Sequence, residues 1–530
     1  MKAIKSFSAE KYSGPWTNLE KKHFLNRVLF GCTQEDLQSL ENKTFEQSIE
    51  ELIQPSPAPS PPLNHYQNQE PDTTGVAYGQ TWINAPYGNG VINARRVASL
   101  RSWWIQQLLF QKRTIHEKLI LFWHNHFATQ MEIYEVAKFA FDYQNLLRTH
   151  AMGNFRDFVK AITLDPAMLE YLNGHRNTKE APDENYAREL QELFMLGKGE
   201  NSKYTEHDVR EAARVLTGHK YSRLDGKYSF DASRHDSGDK QFSDFFHNQT
   251  ITGKAGEEGA DETDELIEMI LQQPEVSKFI VRKLYRFFIY YEITEAVEQD
   301  FIEPLAQLFR EQNYEFLPLL KAFFSSQHFH DPAFHGAVIA SPLDFVVKTF
   351  RHLKPEIPEE TDVFLYYSVC NVFMYFAGIT QQIIGDPPSV SGWPAYHQAP
   401  LYHQLWINSD TYQKRNQGIL ALLFNEVKSE GYKVKVDVIH LASKTTDPGE
   451  PNKLINELSN ILLPITIDEA VKQKFKKDIL LSGQSNDYYW TQLWDNFQNK
   501  PDDENLKNLV EQRLRMLMLY LTGLPEYQLI

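Results

Sequence analysis

Cysteine is nearly absent from this 530-residue chain: only Cys32 and Cys370 occur. Two such distant thiols make no disulfide framework, and no Cys-x-x-Cys pair offers a zinc site. Both are expected to be small buried hydrophobes. No apolar run is long enough to span a bilayer. Positive charge is in deficit, with 54 Lys and Arg against 70 Asp and Glu, a formal net charge of -16. That balance argues against general binding to nucleic acid or to an anionic membrane. There is no Gly-x-Ser-x-Gly elbow, no His-Glu-x-x-His and no Gly-x-Gly-x-x-Gly after a strand. The easiest hydrolase, zinc-protease and dinucleotide readings therefore go. No internal repeat appears at solenoid period. The first ten residues, Met1 to Glu10, hold two lysines but no apolar segment after them, so no signal peptide is read. A cytoplasmic protein is expected if Met1 is the natural start, and a periplasmic or exported one if the start is trimmed.

Aromatic residues are plentiful, at 13% of the chain. Apolar residues recur mostly at helical spacing, and the best strand signal is the short alternation Lys433-Val-Lys-Val-Asp-Val-Ile439. The fold class predicted is mainly α: a multi-helix globular array with long irregular loops and at most a small β-hairpin. Length alone allows two to four domains. The organisation expected is N-terminal helices over 1–53, a Pro-rich loop over 54–90, a helical core over 91–415 and a C-terminal helical subdomain over 416–530. Thr33 with Asp36, and Thr114 with Glu117, have capping-box spacing. A structureless loop as long as 54–90 is either functional or loosely ordered.

The stretch with most chemistry runs from Asp183 to His219. Two helices are expected there, the first capped by Asp183 and stopped by Gly197 and Gly199. Arg188, Glu189 and Glu192 share one stripe. The stripe is either a reactive surface or a set of pairs: Glu184 with Arg188, Arg188 with Glu192, and a buried network to Arg210 and Arg214 on the next helix. His124 and His126 stand one residue apart. On a continuous helix their imidazoles diverge by roughly 200°. A shared metal needs extended backbone; otherwise one lines a site and the other bonds in the core. His235 and Asp236 sit in a polar loop with a glycine hinge, a place where function concentrates. The turn Gly392-Trp393-Pro394 with Tyr396, Tyr402 and Trp406 either stacks on a sugar ring or packs a loop.

Taken together, Phe122-Trp-His-Asn-His-Phe127, Asn185-Tyr-Ala-Arg-Glu-Leu190, Leu193-Phe-Met-Leu-Gly197, Ala213-Arg-Val-Leu-Thr-Gly218, His235-Asp-Ser-Gly238 and Gly392-Trp-Pro394 resemble the bacterial family called domain of unknown function 1800. Tyr204-Thr-Glu206 and Asp208-Val209 match it too. The likeness runs in order from about residue 23 to 415. It implies no established activity. It does imply relatives that are often exported and often encoded beside a sulfatase-like protein, which would be the partner. Two positions depart from the family pattern: His219 stands where Trp is usual, and Ser389 where Asn is common. His219 either adds a ligand or refills a packing slot.

The functional expectation is a metal-dependent, hydrolase-like enzyme with one interior cleft. That cleft would gather His124, Arg188, Glu189, Glu192, His235 and Asp236 as catalytic groups. A divalent metal ion would sit on His124, His126, Glu189 and Glu192, with Arg188 clamping an anion. The alternative is a non-catalytic binding or assembly protein that docks a partner or glycan through Trp393, Tyr396 and Trp406. A haem or redox site at His124 or His126 is the third reading, and no haem-attachment motif supports it. Substrate, metal identity and oligomeric state are not legible.

Overall fold

Threonines start many of the helices. Thr17, Thr33, Thr44 and Thr205 each accept from a backbone N–H of the first turn while Glu20, Asp36, Gln47 and Asp208 reach back to the cap. Each box satisfies two otherwise orphaned donors. The box expected at Thr114 does not form. Thr114 Oγ1 accepts from the His116 N–H at 3.3 Å, but the reciprocal bond is missing, since Glu117 forms a buried bidentate pair with Arg148 at 2.5 and 3.0 Å. The computed structural model describes residues 4, 6–67 and 69–530. Residues 1–3 and 5, part of the stretch read for a signal peptide, lie outside the described residues.

Among the described residues the chain is 57% helical with three small two-stranded sheets. One hairpin, Lys428–Ser429 with Tyr432–Lys433, falls at the start of the alternation seen in the sequence. The other two, His219–Tyr221 with Tyr228–Phe230 and Lys240–Gln241 with Thr250–Ile251, lie in the polar stretch after the central helices. Among the described residues no helix is long and apolar enough to cross a membrane. Cys32 and Cys370 are both free and buried.

The core is built from helix pairs. Gly90–Leu109 packs along Val363–Ile379, His116–His126 along Ala137–His150, and Pro274–Phe288 along Glu303–Glu311. A single buried cluster runs from Phe24 to Ile530. The last residues join it through a bridge between Ile339 and Leu529 and a bond from Ile530 N–H to the Val338 carbonyl, 2.9 Å. The loop over 54–90 lacks helices yet is pinned. Asp72 and Arg96 form an ion pair of 3.0 Å with side chains 0% and 3% exposed. Trp82 donates to Ser99 at 3.0 Å.

Candidate functional site

The His-Asn-His triplet and the Gly-Trp-Pro turn hold each other. Both histidines end the helix His116–His126, so their rings diverge as helical geometry requires. Asn125 Oδ1 accepts from the Trp393 N–H at 2.8 Å. Gly392 sits so close that a Cβ there would lie 2.3 Å from that same oxygen, and its φ of +85° is glycine's region. His124 Nε2 accepts from the Gly385 N–H at 3.1 Å. Its proton is therefore on Nδ1, which has no partner. The ring packs among Trp104, Tyr143 and Trp393 at 5.0, 5.9 and 5.5 Å. Burial pushes its pKa down to about 3. His126 Nε2 donates to the Phe194 carbonyl at 3.0 Å. The divergence turns the two imidazoles apart, and each holds a backbone segment.

The central stretch is a helix, Glu184–Glu189, that continues as a wider π-turn, Leu190–Met195, and stops at Gly197 with φ +79°. Asp183 caps it as expected. The extra residue in the π-turn alters the register of the polar stripe. Arg188 keeps Glu184 at 3.0 Å but takes Glu206 rather than Glu192, at 2.6 Å. Glu192 goes to Lys198 at 2.5 Å. The link to the next helix thus runs through Glu206, not through Arg210 or Arg214. Half-buried Glu189 has one carboxylate oxygen without a partner. Burial and then the neighbouring Glu192 raise its pKa.

The loop at His235 closes on different neighbours. His235 Nδ1 meets Thr217, and Nε2 meets Glu262 at 3.1 Å. Glu262 also pairs with Lys240, and all three side chains are at most 1% exposed. Burial raises the Glu262 pKa, but bonds from His235, Lys240 and the Lys254 N–H outweigh it and the net shift is downward. Asp236 accepts from Arg214 at 2.7 and 3.3 Å. His219 is refilled packing: Nδ1 bonds Tyr228 at 2.8 Å and Nε2 bonds Thr263 at 2.9 Å. Ser389 and Gly392 close the turn through an N–H to carbonyl bond of 3.0 Å.

The expected catalytic groups bond into different networks: His124 to Gly385, Arg188 to Glu184 and Glu206, His235 to Thr217 and Glu262, and Asp236 to Arg214. Among the described residues no three His, Cys, Asp or Glu side chains come together in a way that could hold a metal ion. The donor set His124, His126, Glu189 and Glu192 does not form. The physical reason is local: two rings are turned apart by the helix, and one carboxylate is turned to Lys198 by the π-turn.

The aromatic turn does reach a pocket. Tyr396 and Trp406 line a cavity of about 20 Å³ together with Arg286, Asp344 and His403. Trp393 is 1% exposed and belongs to the brace at Asn125. Tyr396 stacks on Phe287 at 4.8 Å and meets Trp406 edge-on at 5.6 Å. Tyr291 stacks on Tyr402 at 5.2 Å, and the Arg286 guanidinium lies 5.8 Å from the Tyr402 ring. Beneath them Asp344 pairs with Lys118 and caps its helix through Ser341. It is the one carboxylate whose charge favours the protonated forms of Arg27, Lys118, Lys348 and Arg415. Burial pulls Arg27 down to about 9, Lys348 to about 7 and Arg415 to about 10.

Several donors around this cavity are uncommitted. Arg286 Nε and the Tyr396 hydroxyl in its lining, and Arg27 Nε and Nη1 behind that lining, have no hydrogen-bond partner. Ser341 and Gln382 approach that hydroxyl without ordinary hydrogen-bond geometry. His403 accepts the Ile339 N–H on Nδ1 at 3.3 Å, which leaves a proton on Nε2 with nothing to receive it. Burial, then Arg27, push its pKa down to about 4. Sequence reasoning found the aromatic half of this pocket and missed the charged half. Arg27, Lys118 and Lys348 share their helices with other charged residues, so nothing in the sequence set them apart.

No curated protein and no solved structure matches the chain. A family model does, over residues 23–529, well past the last motif recognised in the sequence at Trp393 and Pro394. With nearly its whole length matched, the chain belongs to the family described as protein of unknown function DUF1800.

Proposed function

We propose that this protein is a binding protein whose ligand or partner presents an acidic group to the pocket beneath the aromatic turn. One observation carries the reading. Four cations at most 2% exposed, Arg27, Lys118, Lys348 and Arg415, surround a single buried carboxylate, Asp344. Buried charge without a counter-charge is costly unless something else supplies it. The partnerless N–H groups of Arg27, Arg286 and His403 are acidic-group donors in waiting. A cavity of about 20 Å³ admits one water-sized atom. An oxygen of a carboxylate or phosphate ester fits it, with the rest of the ligand over Tyr291 and Tyr402. The hydrolase reading needs His124, His235, Asp236 and Arg188 free to act, and each is engaged elsewhere; Glu189 alone keeps an unbonded buried oxygen.

The test is thermal unfolding in acetate and in inorganic phosphate, against sodium chloride at equal ionic strength. A ligand that binds only the folded state raises the midpoint saturably. The rise is expected in the wild type and absent in Arg27→Met and Arg286→Ala. Equal shifts in all three proteins would be a general salt effect, and no shift in any would be equally fatal to the reading.

A further inference from the structure

The pinned loop over 54–90 builds one wall of a much larger cavity, about 530 Å³, on which the acidic-group pocket has no bearing. Its residues 82–87 face the turn 223–227 of the hairpin His219–Tyr221 with Tyr228–Phe230. The floor is the start of the helix Ala137–His150 and one side of Gly90–Leu109. A second cavity of about 300 Å³ adjoins it, sharing Tyr87 and Asn93. Both volumes lie in or near the range of small-ligand sites, roughly 300–1,000 Å³. The wall is preorganised: Arg96 reaches the Pro86 carbonyl at 2.7 Å, Thr74 at 2.6 Å and Asp72 at 3.0 Å.

The charges along the larger cavity decide what it takes. Its four cations each have a carboxylate: Arg96 with Asp72 at 3.0 Å, Lys138 with Asp142 at 2.5 Å, Arg223 with Glu170 at 3.7 Å and Lys227 with Asp225 at 3.4 Å. Asp142 and Asp225 line the cavity themselves, while Asp72 and Glu170 stand behind it, so each cation is already held by a carboxylate and none is left single for an anion. What remains is a set of fixed donors and acceptors, with the Asn84 and Asn93 amides between them. Tyr87, half-buried against the core, stands where the two compartments meet. A neutral ligand rich in hydroxyls satisfies such a lining, because each hydroxyl both donates and accepts. A ring face stacks on a tyrosine.

We propose that this groove binds an uncharged oligosaccharide, with Tyr87 as the platform between two sugar subsites and the Lys138–Asp142 pair as hydrogen-bonding floor. The experiment is isothermal titration of the full chain with neutral cello-, malto-, manno- and chito-tetraose. At least one is expected to bind, at least tenfold more weakly to Tyr87→Ala and to Asp142→Asn, and unchanged to Arg27→Met. An unshifted circular-dichroism melt of Tyr87→Ala separates lost contact from lost fold. No binding by any of the four sugars overturns the proposal. So does binding that both groove variants leave intact, or competition by an extended peptide of neutral composition in place of the sugars.

Discussion

Two buried carboxylates sit at similar depth and have opposite surroundings. Glu262 is shared by His235, Lys240 and the Lys254 N–H. Its neighbourhood is closed, and nothing is left over for a ligand. Asp344 stands among four buried cations, and donors on Arg27, Arg286 and His403 remain unspent. A completed polar network braces a fold; an incomplete one marks a place where something else belongs. The motif residues that drew the eye in the sequence fall mostly in the first class.

The comparison breaks most readily at Glu262. Glu262→Ala strands a buried lysine and a buried imidazole, and loss of one partner of a buried pair costs about 3–5 kcal/mol. A urea midpoint close to that of the wild type would show the network to be ornamental.

Protonation gives the next effect. Burial holds His219 near pKa 4, below its ordinary 6.5, so the native state keeps it neutral. The unfolded chain then binds more protons than the native one between those values. Stability from this group is complete above about pH 6.5 and is lost as pH falls toward 4, at up to about 1.4 kcal/mol per pH unit. His219→Asn should have a shallower slope in that window and the same slope above pH 7. Parallel curves from denaturant titrations at stepped pH would contradict this.

The smallest effect belongs to Arg188. Its partner Glu206 is 66% exposed, and exposed pairs contribute about 0.2–1 kcal/mol. Arg188→Ala should barely move the melting temperature. A large drop would make the central stripe a brace of the same rank as the Glu262 network.

Helix starts were legible because capping is local: Thr33 with Asp36 reads from four residues. Thr114 failed because its Glu117 answers to Arg148, thirty-one positions away. Glu192 failed because nothing in Leu190–Met195 announces a π-turn, and one extra residue alters the stripe. The His-Asn-His and Gly-Trp-Pro motifs were visible separately, but their contact spans about half of the chain. The aromatic rim of the pocket was legible as a cluster in sequence. The cations around Asp344 were not, since Arg27, Lys118, Lys348 and Arg415 come from four segments that only the finished core assembles.

One wall of that pocket is Ile530, held through the Leu529–Ile339 bridge, with Lys348 bonding the Tyr527 and Leu529 carbonyls. A proteolytic product clipped after Leu524 would lose that wall, and with it the ligand.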